Sequence, residues 1–202
     1  VASVAAIDPA AGVTGIDVTR GAGLTSVSAS FAINSSGWED LAANDYFQFG
    51  FSTTVPYLVE QFTVGLRSSN TGPGFVNLLY SKDRGASTKL GSVSPIELMG
   101  TTFNDLVASL TEIGVVNSSL VFRIVVDPAH PTNALFNVDP TVDPTIGRNG
   151  TFRFASYSPS DGVFVNPEIT GSLVPEPASP VMGGIGFALV ICAVARQARR
   201  VV

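Results

Sequence analysis

The sequence holds one cysteine, Cys192, and one histidine, His130. A single thiol excludes an intrachain disulfide, and with a single imidazole beside it the usual Cys/His zinc sites are excluded too. A Ser-His-Asp triad would have to be built on His130, which lies between Ala129 and Pro131 with no Gly-x-Ser-x-Gly elbow ahead of it. His130 is therefore read as a solvated loop residue, no catalytic residue is assigned, and no metal or cofactor is expected. Charge is also scarce: Asp, Glu, Lys and Arg together make up 13% of the 202 residues. Of the eleven basic residues, Arg196, Arg199 and Arg200 fall in the last seven positions. That leaves eight upstream of Val174 against fifteen acids (all but Glu176), so the body carries −7 while the whole chain carries −5. A surface of that sign repels phosphate backbones, and nucleic acid is not an expected partner.

What is abundant points to β structure. Hydrophobic residues make up 45%, and thirteen Phe with four Tyr are too many for a disordered chain. Twenty Gly and thirteen Pro suit many strands joined by many turns. Period-two alternation recurs along the body. Val27, Ala29, Phe31 and Ile33 oppose Ser26, Ser28 and Ser30. Phe47, Phe49 and Phe51 oppose Tyr46, Gln48 and Gly50. Phe62, Val64 and Leu66 repeat the pattern, as do Leu120, Phe122, Ile124 and Val126, with Arg123 facing the other way. Phe152 and Phe154 alternate with Thr151, Arg153 and Ala155. Phe75 to Tyr80 is apolar on both faces apart from Asn77, as in a central strand. Val163 to Ile169 is a weaker strand, confined by Pro167 to an edge or bulge. The segment 103–113 fits a strand or a single short helix.

Turn chemistry separates these runs. Residues 68–74, Ser-Ser-Asn-Thr-Gly-Pro-Gly, read as a loop, and Lys82-Asp83-Arg84-Gly85 as a hairpin connection. Asn149-Gly150 is the strongest short hairpin signal. The proline-rich stretch from Asp127 to Asp143 predicts a long exposed loop. Eight or nine strands in about 170 residues predict an all-β fold of two packed antiparallel sheets, a jelly-roll-like β-sandwich, with a closed barrel as the alternative.

The C-terminus carries three features in order. Val174-Pro175-Glu176-Pro177 comes first, then Ala178 to Ala195 without a charge, then Arg196, Arg199 and Arg200. Two prolines hold the chain extended, as a segment lying in a processing enzyme must be. The uncharged run would span ~27 Å as a helix at ~1.5 Å per residue, near the short limit for a ~30 Å hydrocarbon layer. Gly183, Gly184 and Gly186 weaken it further, so a marginal single transmembrane helix is expected. The arginines would keep the C-terminal end cytoplasmic and place the β body across the membrane.

This order of motif, apolar run over 181–195 and basic end resembles the PEP-CTERM sorting signal. The match covers roughly the last 30 residues, Pro175, Glu176 and Pro177 being the sorting motif and Arg196, Arg199 and Arg200 the basic stop. The basic end departs from the pattern in being split by Gln197-Ala198 and followed by Val201-Val202. The resemblance implies export, recognition by exosortase (a membrane-embedded cysteine protease-transpeptidase-like enzyme), cleavage near the motif, and a Gram-negative host that makes exopolysaccharide. An ordinary permanent anchor or a buried helix is the alternative for the same residues. The stretch from Gly65 to Ser81, with Gly150 to Phe154, also resembles the jelly-roll-like ectodomains that precede such tails. The expected division is a tail over 1–12, a sandwich over 13–173 and the sorting signal over 174–202. The opening Val1-Ala2-Ser3-Val4-Ala5-Ala6 lacks a Met and is read either as the neighbourhood of a removed signal peptide or as a disordered tail.

Ligand-binding candidates in the body are few. Trp38, the lone tryptophan, stands among polar residues and could stack on a sugar ring, with Tyr46 and Tyr57 as further candidates. The competing reading packs Trp38 over the sandwich edge. Asp139 with Asp143, or Asp8 with Asp17, could meet calcium, though no EF-hand loop is present. Asn34, Asn117 and Asn149 each begin an N-glycosylation tripeptide, as chance allows in a chain this rich in Ser, Thr and Asn. The expected function is that of an exported, non-enzymatic surface or extracellular-matrix protein. Its partners would be exosortase and the cytoplasmic membrane. A carbohydrate-binding module acting on extracellular polysaccharide is the runner-up. A secreted hydrolase, needing two converging carboxylates, comes third.

Overall fold

An apolar residue at every second position commits one face of a strand to a core. In a computed structural model this pattern produces two antiparallel sheets. The structure describes residues 3–4, 10–27, 32–38, 44–69, 71–98, 103–127, 129, 150–155 and 167–175. The strands among them are β1 (Ser3–Val4), β2 (Val13–Arg20), β3 (Thr25–Val27), β4 (Ala32–Ser36), β5 (Phe47–Thr53), β6 (Tyr57–Ser68) and β7 (Phe75–Lys82). The chain continues with β8 (Thr88–Lys89), β9 (Ile96–Glu97), β10 (Asn104–Ser109), β11 (Val115–Val116), β12 (Ser119–Val126), β13 (Phe152–Ala155) and β14 (Glu168–Leu173). The first sheet runs β1-β2-β5-β12-β7-β8, with β9 also paired to β7. The second runs β10-β6-β13-β4-β3, with β11 and β14 also paired to β6. At twelve residues, β6 is long enough to hold two partners end to end on each flank. Thr63 pairs with both Val107 and Glu168, and Leu58 with both Val115 and Ser172.

The two inner faces meet in a layer of phenylalanine. Phe49 of β5 stacks on Phe122 of its own sheet at 5.3 Å and on Phe62 of the opposite sheet at 4.8 Å. Phe154 of β13 closes the group, 5.0 Å from Phe49. Val64, Leu66, Val76, Leu78, Leu120 and Ile124 fill the space around them, all fully buried. The all-β sandwich and the alternation on β5, β6, β12 and β13 are therefore as expected, and β7 is interior to its sheet as its two apolar faces required.

Several expectations are corrected. The run 27–33 is not one strand: Val27 pairs with Asn34, and Thr25 with Ser36, so the chain doubles back into two antiparallel strands. For the segment 103–113, read as a strand or a short helix, the strand reading holds: it contains β10, because β6 offers it a free flank. The weak strand ending at Ile169 instead starts at Glu168, after Pro167, and runs on to Leu173. Strand β2 carries no period-two signature, since a register shift between Ile16 and Thr19 breaks the alternation. Ser3 and Val4, inside the segment read as a tail, pair with Thr19 and Val18 of β2. Of the expected Asn149-Gly150 turn only Gly150 is among the described residues. A Cβ there would run into the Thr71 carbonyl, so glycine is required by close backbone approach. The loop over 127–143 lies outside the described residues except for Asp127 and Ala129.

The expected turn at 82–85 is a hairpin, with Asp83 and Arg84 both at positive φ (51° and 64°) and Gly85 N–H donating to Lys82 O at 2.8 Å. The Asp83 carboxylate accepts from the backbone N–H groups of Asn117, Ser118 and Ser119 at 2.9, 2.6 and 3.3 Å. Burial alone would raise this carboxyl, but the bonds from Ser118, Asn117 and Ser119 outweigh it and hold it below its ordinary value. A folded-state pKa below the unfolded one gives stability that is present above the unfolded value, about 3.9, and lost as pH falls through the folded value. Asp83→Asn is therefore expected to cost about 1–2 kcal/mol at neutral pH. Urea titrations of both proteins should converge as the pH drops below 3. A gap of constant size down to that pH would contradict this account.

Candidate functional site

The residues that alternate with the core set form the outer faces of the sandwich. On the first sheet, register lines up Gln48 of β5, Arg123 of β12, Leu79 of β7 and Lys89 of β8 in one row. Arg123 Nε donates to Gln48 Oε1 at 2.8 Å, and its guanidinium carbon sits 4.3 Å from the centroid of the Tyr46 ring. Both contacts fix the guanidinium against the sheet, one by a hydrogen bond and the other by the ring's quadrupole. Next to this row, the Ser81 hydroxyl donates to Gly85 O at 2.6 Å, which ties β7 to the hairpin turn. Gln48, Ser81, Gly85, Ser87, Val121 and Arg123 line a depression of about 290 Å³.

The depression offers a positioned guanidinium, an amide and hydroxyls, a donor and acceptor set able to hold a hydroxylated or anionic ligand. Among the described residues no carboxylate lines it, so these residues do not supply the paired acids of a glycoside hydrolase. Among the described residues no group of three or more His, Cys, Asp or Glu is arranged to hold a metal ion.

The structure separates the residues singled out in the sequence. Tyr46 lies half-buried under Arg123, without itself lining the depression. Trp38 is 1% exposed, donates from Nε1 to Ser35 O at 2.9 Å, and packs edge-on against Phe47 and Phe152. Tyr57 is also in the core, against Phe51 at 5.6 Å, and burial and then the Glu60 carboxylate push its phenol above the ordinary value. Neither ring presents a stacking face to solvent. Asn34 is buried within β4, which removes it as a glycan acceptor, whereas Asn117 is exposed. Asp17 is exposed on β2, while Asp8, His130, Asp139, Asp143 and Asn149 lie outside the described residues. Pro175 is exposed directly after β14, and Glu176, Pro177, the apolar run, Arg196, Arg199 and Arg200 lie outside the described residues. Among the described residues no helix is long and apolar enough to cross a membrane. Gln48, Ser81 and Ser87 were not expected at a site. The signal for the first two was their position out of phase with the buried set.

No protein-family model matches the sequence, and no curated protein matches it. Among solved structures, a mutant of a family 29 carbohydrate-binding module is similar with a TM-score of 0.38 and 10% identity, over 76% of this chain and 85% of that one. A likeness this distant assigns neither ligand nor site.

Proposed function

We propose that the protein is an exported, non-enzymatic surface or extracellular-matrix protein whose residues 174–202 act as a sorting signal for exosortase. The supporting observation is where the last described strand ends. Strand β14 ends at Leu173, and Val174 N–H makes a backbone hydrogen bond, to Pro56 O at 3.0 Å. Pro175 follows it, exposed and in no strand. A processing enzyme needs an extended substrate free of sheet hydrogen bonds, and the motif begins one residue beyond the last backbone hydrogen bond found among the described residues. In this reading the body is a jelly-roll-like ectodomain, the uncharged run is a marginal single transmembrane helix, and the terminal arginines hold its cytoplasmic end. Localisation is the cell membrane for the precursor, and the cell surface or exterior after processing. Mass spectrometry of the C-terminus, from cells with and without the processing enzyme, tests it. The expected result is a chain ending near Pro175–Pro177 only when the enzyme is present, and an uncut chain for Glu176→Ala. An intact tail under both conditions would overturn the proposal.

A second reading, carbohydrate binding, is favoured by the depression at Arg123. Its guanidinium, the Gln48 amide and the Ser81 and Ser87 hydroxyls suit the hydroxyls of an exopolysaccharide. Arg123→Ala should weaken binding of a neutral oligosaccharide about tenfold, a loss of ~1.4 kcal/mol. Equal affinity in the variant by calorimetry would remove the depression as the site.

A further inference from the structure

The outer face of the second sheet carries an arrangement that the sorting and carbohydrate readings leave unused. Arg153 of β13 pairs in register with Arg67 of β6 on one side and with Asn34 of β4 on the other. Two arginines thus stand directly opposite each other on neighbouring strands, at a Cα separation of about 4.5–5.5 Å. Like charges in that position repel. A body of net charge −7 with only eight basic residues has carboxylates to spare, yet none stands opposite either arginine. Arg67 has the Phe103 ring 5.5 Å from its guanidinium carbon, and the Arg153 side chain has no hydrogen bond or ion pair among the described residues. Asp105 opposes Gly65 and so lies diagonal to Arg67, which leaves the cluster with a net positive charge.

Asn34 supplies the second observation. It is 1% exposed, and both its amide nitrogen and its amide oxygen are buried without a hydrogen-bond partner. Buried amides are almost always satisfied, because an unpaired donor or acceptor forfeits its hydration for nothing. Its neighbour in register is the unpaired Arg153.

We propose that Arg67, Arg153 and Asn34 form an oxyanion-binding site on the outer face of the second sheet, for a carboxylate or an inorganic anion. An oxyanion between the two guanidinium groups turns their repulsion into two attractions, and each fork can donate to it in parallel. The Asn34 amide nitrogen donates a further hydrogen bond, and its oxygen accepts from an arginine N–H. All three unfavourable features are relieved by one ligand. The site is independent of the tail, and lies on the opposite face of the sandwich from Arg123.

The test uses the full chain in detergent, with sodium chloride setting a constant ionic strength so that general screening cancels. Sodium sulfate, sodium phosphate and a galacturonate oligomer are the three probes, read by calorimetry and by the shift in Tm. At least one probe should bind the wild type and raise its Tm. Arg153→Gln should weaken that binding about tenfold or more, and without ligand its Tm should be equal to or above that of the wild type. Arg84→Gln, which removes an exposed charge at the hairpin turn and touches neither site, should leave anion binding unchanged. Binding of galacturonate identifies the source as an acidic glycan, and binding of sulfate or phosphate alone identifies a free anion. No binding by any probe would overturn the proposal. So would binding that survives Arg153→Gln or is abolished by Arg84→Gln.

Discussion

Phe62→Ala should lower stability by about 3–5 kcal/mol, the cost of removing a fully buried phenylalanine. Phe62 is on the inner face of β6 at 1% exposure, with Phe49, Phe122 and Phe154 within 4.8, 5.9 and 6.4 Å. Two of those rings belong to the opposite sheet. The truncation therefore removes contacts between the sheets as well as within one, and leaves a hole that stiff neighbouring strands cannot close. A domain of this size is stable by about 5–15 kcal/mol, so the variant should be barely folded at physiological temperature. Val107→Ala is the control: Val107 projects from β10 at 58% exposure, and its loss should stay within about 0.5 kcal/mol. Urea titrations of the three proteins give the comparison. A loss below 1 kcal/mol for Phe62→Ala, with an unchanged m-value, would mean that the two sheets are not packed through these rings.

The same residues explain how far the fold is legible in the sequence. Phe47, Phe49, Phe51, Phe62, Leu120, Phe122, Phe152 and Phe154 are spaced by two, and every one of them is buried. Period two fails where geometry interrupts it. Strand β2 hides behind a register shift, and β1, β3, β8, β9 and β11 are only two or three residues long, too short to show any period. The run 27–33 misleads because two short strands of a folded-back pair can keep one phase in the sequence. The candidate sites were less legible still. Arg123 and Gln48 are 75 residues apart, and Arg67 and Arg153 are brought together only by the pairing of β13 with β6. Alternation says that such residues face outward, but which of them are neighbours is a property of register.

That distinction also bears on how ligands would be recognised. The depression at Arg123 and the row at Arg153 lie on opposite outer faces, built from different sheets. Arg123 is already engaged by Gln48 and Tyr46, so it is rigid before a ligand arrives and suits neutral hydroxyl groups. Arg153 has no such partner, and its cluster gains most from a negative charge. Substitutions on one face should leave the other's binding intact, because each sheet is held by its own ladder and the Phe layer lies between them.

Trp38 gives a prediction of similar size to that for Phe62, and tests the sugar-stacking expectation directly. As the only tryptophan, it alone sets the indole emission. Its neighbours Ser35, Ser36, Gly37, Glu39 and Asp40 are polar or small, which in the sequence argues for an exposed ring. Gly37 favours the other reading, the ring packed over the sandwich edge, because its φ of 87° is open to glycine and strained for other residues. The chain turns there at the end of β4 and sends Trp38 inward, between Phe47 of one sheet and Phe152 of the other at 5.1 and 5.3 Å. The folded protein should emit at short wavelength, resist quenching by acrylamide, and show no change when oligosaccharides are added. Trp38→Ala should cost about 3–5 kcal/mol. Trp38→Phe keeps much of the apolar volume but loses the bond to Ser35 O, and should cost less, about 1–2 kcal/mol. Emission at the wavelength of a solvated indole in the folded protein, or a saccharide-dependent shift, would place the ring outside the core and reopen stacking as its role.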